Sequence, residues 1–142
     1  MLLDEAIDKY HAALGQFAKG NPEPVKELYS RRGDVTLANP FGPAVRGWEL
    51  VSNALNFASS RFRDGDVADV ESLAMYVTAD LASMLEIEQW RARVGDREDV
   101  SPFDLRVTST FRLEDEGWKL VHRHADPIST PHPDGPLRGL SG

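Results

Sequence analysis

The sequence predicts an α+β fold in which helices come first and an antiparallel sheet follows. Apolar residues recur at helical spacing as far as Phe62, whereas the later part of the chain has a period of two and is rich in β-branched and aromatic residues. Short turn sequences, Thr78-Ala79-Asp80 and Asp115-Glu116-Gly117, separate the predicted strands and suit hairpins. Helices followed by hairpin-connected strands are typical of the α+β class.

Two helices are predicted at the start of the chain. The first carries an apolar stripe at steps of 4, 3, 4 and 3 and ends at Gly20; the stripe consists of Leu3, Ile7, Tyr10, Leu14 and Phe17. Asn21-Pro22-Glu23 combines a capping residue, a proline and an acid, which indicates that a second, short helix begins there. We expect this helix to turn Val25, Leu28 and Tyr29 inward.

A broken strand and a third helix are predicted next. The stretch "GDVTLANPFGP" reads as a brief strand interrupted by turn residues. From Gly47 onward, apolar residues at steps of 4, 3 and 4 predict a helix that "RDGD" closes; they are Val51, Leu55, Ala58 and Phe62.

Four long strands are predicted in the rest of the chain, at residues 67–78, 81–93, 103–113 and 118–126. The polar stretch 94–101 connects the middle two in a longer hairpin. Residues 1–127 are expected to form one domain, and the tail 128–142, rich in proline and glycine, is expected to lack regular structure.

Composition narrows the classes of function. The 142 residues include no cysteine, which excludes disulfides and thiolate chemistry and favours a cytoplasmic location. The formal charge is 16 − 23 = −7 and no long basic run occurs, which argues against a nucleic-acid partner. The apolar runs are too short for a bilayer span. Small molecules or proteins are therefore the expected partners.

Two stretches carry a resemblance to a known superfamily. "VTLANPFGPAVRGWELVSNALNF" and the closing "WKLVHRHAD", in this order of elements, resemble the nuclear transport factor 2-like superfamily, and within it the SnoaL-like and ketosteroid isomerase-like group. The resemblance covers about residues 3–127. It implies a curved sheet wrapped round the three helices into a cone, with a deep pocket at one end, usually in a homodimer. The superfamily hosts both enzymes and assembly domains.

The resemblance also implies roles for particular residues. Steroid isomerases carry a proton-shuttling aspartate where this chain has Asn39, and an amide cannot take over that role. Their helical tyrosine donor is similar in setting to Tyr10, which is also a core residue of the first stripe. The polyketide cyclases use an acid-base aspartate late in the chain, and Asp126 is the similar position.

The last strand offers the candidate catalytic residues His122, His124 and Asp126. By alternation they share a face with Trp118 and Leu120, which predicts that this face points into the core. Three interpretations stay open: satisfied structural side chains, an acid-base site in which a carboxylate orients an imidazole, and a metal site of His-x-His with Asp126.

Further candidates lie elsewhere in the chain. Glu88, Arg106 and the histidines could form a polar network across three strands, as the SnoaL-like resemblance implies. The odd-numbered residues of the strand predicted at 103–113 are strongly apolar, which favours instead an Arg106 that looks outward, toward a dimer interface. The remaining ligand-binding candidates are Asn39, Phe41, Trp48 and Tyr29.

Two hypotheses of different classes follow. In the first, a cofactor-free enzyme moves protons on an apolar carbonyl compound, with Asp126 or His124 as base, His122 as its partner and Asn39 as a donor to an oxyanion. In the second, a non-catalytic module of the same fold senses a ligand or assembles oligomers. No cofactor or metal is expected in either.

Overall fold

The computed structural model of the chain describes residues 1–127 and residue 131. The tail predicted from residue 128 onward lies, apart from residue 131, outside these residues. In the described part no helix is long and apolar enough to cross a membrane.

Helices α1 (Leu3–Phe17) and α2 (Glu23–Leu28) form where the apolar stripes predict them. Tyr10, Leu14 and Phe17 are buried, while Leu3 and Ile7 pack against the core from its edge. Gly20, at a φ of +95°, turns the chain out of α1. The Oδ1 of Asn21 accepts a hydrogen bond from the backbone N–H of Glu23 at the start of α2.

The broken strand becomes a hairpin of β1 (Thr36–Asn39) and β2 (Gly42–Arg46), and α3 (Trp48–Ser60) follows it. The Oδ1 of Asn39 accepts a hydrogen bond from the backbone N–H of Phe41, which holds the turn. The prediction that "RDGD" separates helix from strand is wrong, because strand β3 (Phe62–Val77) begins directly after α3 and includes these residues. Asp64, at a φ of +55°, and irregular pairing with β4 bend the strand there.

Strands β4 (Leu81–Val94), β5 (Ser101–Glu114) and β6 (Gly117–Asp126) complete one six-stranded sheet in the order β2-β1-β6-β5-β4-β3. The α+β class and the meander of the last four strands are confirmed. The sheet is curved and does not close. It is not purely antiparallel, because β1 runs parallel to β6, with Thr36 opposite His122.

The core lies between the helices and one face of the sheet, which we name the inner face. On β4 the inner face consists of the alternate buried residues Ala82, Met84, Glu86, Glu88, Trp90 and Ala92. The opposite face of the sheet, which carries Leu81, Ser83, Leu85 and Ile87 on β4, is named the outer face.

A β-bulge in β6 decides which of its side chains reach the core. Thr110 pairs with His122 but Phe111 pairs with Leu120, so Val121 is an extra residue in β6. Leu120 and Val121 are both buried, and from there onward Arg123 and Ala125 are the buried positions. The prediction that His122, His124 and Asp126 share the core face with Trp118 and Leu120 is therefore wrong: the bulge moves these three residues to the outer face.

Candidate functional site

A cavity of about 350 Å³ lies between the helices and the inner face. Leu55 and Ala58 of α3 and Phe17 of α1 form its helical side, and the sheet supplies the rest. Its described lining is largely apolar; the polar side chains in it belong to Asn39, Arg97, Ser101 and Arg123. This composition suits an apolar molecule with few polar groups.

One wall of the cavity is aromatic and consists of Phe62, Trp90 and Phe103. Phe103 stacks on Phe62 with ring centroids 5.9 Å apart and on Trp90 with centroids 5.8 Å apart. Phe41 meets Phe62 edge to face at 5.5 Å. Because these rings contact one another, each limits the movement of its neighbours, and together they form a rigid apolar surface.

Arg123 forms a polar end of the cavity, and Glu88 pairs with it from behind. Its Nη1 and Nη2 donate to the two carboxylate oxygens of Glu88 at 2.7 and 2.8 Å. Nη1 also donates to the hydroxyl of Tyr10 at 2.6 Å, and Trp90 Nε1 donates to Glu88 at 2.9 Å. Glu88 is completely buried and Arg123 is 6% exposed. An ion pair so deeply buried needs additional hydrogen bonds; Tyr10 supplies one to Arg123 and Trp90 supplies one to Glu88.

Burial and the ion pair together determine the protonation of Arg123 and Tyr10. Burial disfavours the guanidinium charge, but the carboxylate of Glu88 outweighs this effect and holds the pKa of Arg123 well above its ordinary value. Burial raises the pKa of Tyr10 to about 12. Tyr10 is therefore a neutral hydroxyl, and it extends the network to Ser109, whose Oγ lies 2.6 Å from the Tyr10 oxygen.

Of the predicted ligand-binding residues, Asn39 and Phe41 line the cavity. Trp48 does not; the guanidinium of Arg31 covers its ring at 3.6 Å. Tyr29 is buried beside β1, donates its hydroxyl proton to the backbone oxygen of Thr36, and borders a separate polar cavity. Glu88 stands behind Arg123 rather than in the lining.

The predicted catalytic residues lie together on the outer face, away from this cavity. Asp126 accepts a hydrogen bond from Arg106 Nε at 2.7 Å, and Thr36 Oγ1 lies 2.8 Å from Nδ1 of His122. Burial lowers the pKa of His122, with the neighbouring His124 adding to the effect. None of the three candidates is among the described residues that line the cavity. Their assignment as catalytic residues stays a prediction.

The proposed network of Glu88 with Arg106 and the histidines is wrong, because Glu88 is on the inner face and the others are on the outer face. The alternative prediction, in which Arg106 looks outward, is confirmed. In the described part of the chain, no three side chains of the metal-binding types are placed to share an ion.

Sequence reasoning missed Arg123 as a site residue. One signal was available: Glu86 and Glu88 lie at alternate positions of β4 between Met84 and Trp90. All four side chains therefore share one face, and this otherwise apolar face carries two carboxylates. Buried carboxylates need cationic partners, and Arg123 is the partner of Glu88. That partner could not be named from the sequence because the bulge in β6 changes the alternation.

The second inner carboxylate, Glu86, pairs with His11 of α1. Nε2 of His11 lies 2.9 and 3.1 Å from the two oxygens of Glu86, which is almost fully buried. The hydrogen bond to Glu86 raises the pKa of His11 above its ordinary value of 6.5. The charge of this pair therefore depends on pH, unlike that of Glu88 and Arg123.

Comparisons with known proteins agree with this architecture. A family model described as the SnoaL-like domain matches residues 3–129. A search of curated proteins found no match.

Solved structures with the same fold include a nuclear transport factor 2-like superfamily protein from Salmonella enterica (18% identity, 92% of each chain, TM-score 0.74). A ketosteroid isomerase-like protein from Erwinia carotovora is similar over 91% of this chain and 95% of its own (18% identity, TM-score 0.73). A protein with a cystatin-like fold from Novosphingobium aromaticivorans has 15% identity over 91% of this chain and 86% of its own, with a TM-score of 0.61. The resemblance predicted from the sequence is confirmed.

We expect Arg123→Met to destabilise the protein by about 3–5 kcal/mol, since it leaves the carboxylate of Glu88 buried without its cation. Arg106→Met is the matched control, because it breaks an ion pair of the same type whose arginine is 49% exposed, and it should cost about 0–1 kcal/mol. Urea unfolding of both variants measures the difference. Equal losses would contradict the assigned role of the buried pair.

The His11–Glu86 pair should make stability depend on pH. Since folding raises the pKa of His11, its stabilisation is fully present below pH 6.5 and is lost as pH rises through the higher folded value. The difference in unfolding free energy between wild type and His11→Gln should thus shrink by roughly 1 kcal/mol from pH 6 to pH 9. His122 is present in both proteins, so its opposite shift cancels. A difference that is constant over this range would refute the pairing.

Proposed function

The chain belongs to the SnoaL-like domain family, and from that premise we propose that it binds a small, mostly apolar molecule in the cavity between its helices and the inner face. The observation that carries this proposal is the cavity itself, which joins a rigid aromatic wall to one deeply buried guanidinium. A site with a broad apolar surface and few polar groups derives affinity from the surface and orientation from the polar groups.

The character of the described lining supports ligand binding rather than proton transfer inside the cavity. It offers N–H and O–H donors from Asn39, Arg97, Ser101 and Arg123 but neither a carboxylate nor an imidazole. A general base that works near neutral pH is usually one of these two groups. One structural relative is called ketosteroid isomerase-like, but Asn39 stands where that resemblance implies a carboxylate.

Filling the cavity should weaken binding. Ala125 is buried and lines the cavity, so Ala125→Phe is expected to weaken the binding of a neutral apolar dye such as prodan by at least about tenfold, since the ring occupies the ligand's place. Ala44→Phe, on the exposed side of β2, is the control and should bind like wild type. Dye fluorescence measures both affinities, and circular dichroism confirms folding. If Ala125→Phe binds prodan as wild type does, the dye is bound elsewhere and the proposal fails.

We also propose that two copies of the chain associate through their outer faces. Large apolar side chains are exposed there on adjacent strands: Tyr76 of β3, and Leu81 and Leu85 of β4. They lie beside the row formed by Ser83, Thr110 and His122, which pair with one another across β4, β5 and β6. Apolar patches rimmed by polar groups are typical of protein–protein contacts.

Leu85→Arg should convert the dimer to a monomer, because each interface would then contain two buried guanidinium groups without partners. Leu50→Arg serves as the control, since Leu50 is exposed on α3, away from the sheet. Light scattering coupled to gel filtration gives the mass of each species. A wild type with the mass of one chain, or a Leu85→Arg variant that stays dimeric, would refute this interface.

A further inference from the structure

We propose that Arg123 makes the cavity select ligands whose buried end carries a neutral oxygen acceptor, such as a ketone or an ester, over ligands that bury a carboxylate there. This inference rests on the proposed binding function and names the chemistry of the ligand. The physical reason is that Glu88 already balances the charge of Arg123 before a ligand enters.

Arg123 has hydrogen-bond donors that the ion pair does not use. A guanidinium has five N–H groups, and in the described structure three of them are engaged: both on Nη1, with Tyr10 and Glu88, and one on Nη2, with Glu88. The N–H of Nε and the second N–H of Nη2 make no hydrogen bond to a described residue. These two point along the remaining edge of the planar group.

Arg123 lines the cavity and is its most deeply buried polar lining residue. We place the edge formed by Nε and Nη2, which makes no hydrogen bond to a described residue, at this end of the cavity. A ligand oxygen in the cavity can therefore accept from this edge of Arg123.

The charge of Arg123 is already balanced within the protein. Glu88, at 0% exposure, already neutralises Arg123. Glu86 adds a second buried carboxylate to the inner face, and its partner His11 is cationic only when protonated. A ligand carboxylate placed against Arg123 would thus bring an additional negative charge into a region with little water, which is costly. A neutral oxygen gains the hydrogen bonds without that cost.

Arg97 does not reverse this balance. It lines the cavity but its side chain is 69% exposed, and its Nε lies 4.0 Å from a carboxylate oxygen of Asp99. Water screens an exposed charge of this kind. The selection therefore applies to the end of the ligand that meets Arg123.

Three naphthalene compounds test the inference, because their shared ring system suits the wall of Phe62, Phe103 and Trp90. They are 2-acetylnaphthalene, 2-naphthoate at pH 7 and 2-ethylnaphthalene, and their affinities are compared by displacement of prodan from the wild-type protein. The ketone should bind at least about tenfold more tightly than the carboxylate and several-fold more tightly than the hydrocarbon. A carboxylate that binds as tightly as the ketone, or a hydrocarbon that does so, would overturn the inference while the proposed function stands.

The variant Glu88→Gln tests the cause. Removing the balancing charge leaves Arg123 with a net positive charge, so the preference for the ketone over the carboxylate should shrink or reverse. An unchanged preference in a folded Glu88→Gln variant would overturn the role of charge balance. If this variant does not fold, the wild-type comparison decides alone. If none of the three compounds displaces prodan and prodan itself does not bind, the proposed function fails, and the inference with it.

Discussion

The ion pair of Glu88 and Arg123 is the interaction on which the rest of the structure depends. Either charge buried without the other would be strongly destabilising. Strands β4 and β6, which carry them, must therefore bring the two side chains together. Tyr10 then attaches α1 to the same pair, and Trp90 fixes the second side of the carboxylate. One polar cluster thus fixes the positions of a helix and two strands that are not adjacent in the sheet.

The same cluster gives the cavity its character. An open, curved sheet leaves a space that three helices do not fill, and aromatic rings on β3, β4 and β5 line it. Arg123 is the deeply buried charge among the polar residues of the described lining. The network that stabilises the core therefore also carries the donors on which the selectivity that we propose depends.

The bulge at Val121 determines which residues of β6 belong to each face of the sheet. One extra residue in β6 sends Arg123 inward and leaves His122 and His124 on the outer face. The histidines, which look like catalytic residues in the sequence, thereby join the surface that we propose as a dimer contact. A strand without the bulge would place imidazoles where the guanidinium is now, and Glu88 would lose its cation.

The sequence by itself determined most of the elements and the family: the stripe of Tyr10, Leu14 and Phe17 predicted α1, and two signature stretches predicted the superfamily. Alternation on β4 also placed Glu88 and Trp90 on one face. Only the tertiary structure decided that this face is inside, that β1 runs parallel to β6, and that Arg123 rather than His124 reaches the core. Periodicity depends only on residues that are neighbours in the sequence, whereas a bulge and a strand register depend on pairing with strands that are distant in the sequence. One shifted residue exchanges the two faces of a strand, so the site could be known only once β5 and β6 were paired.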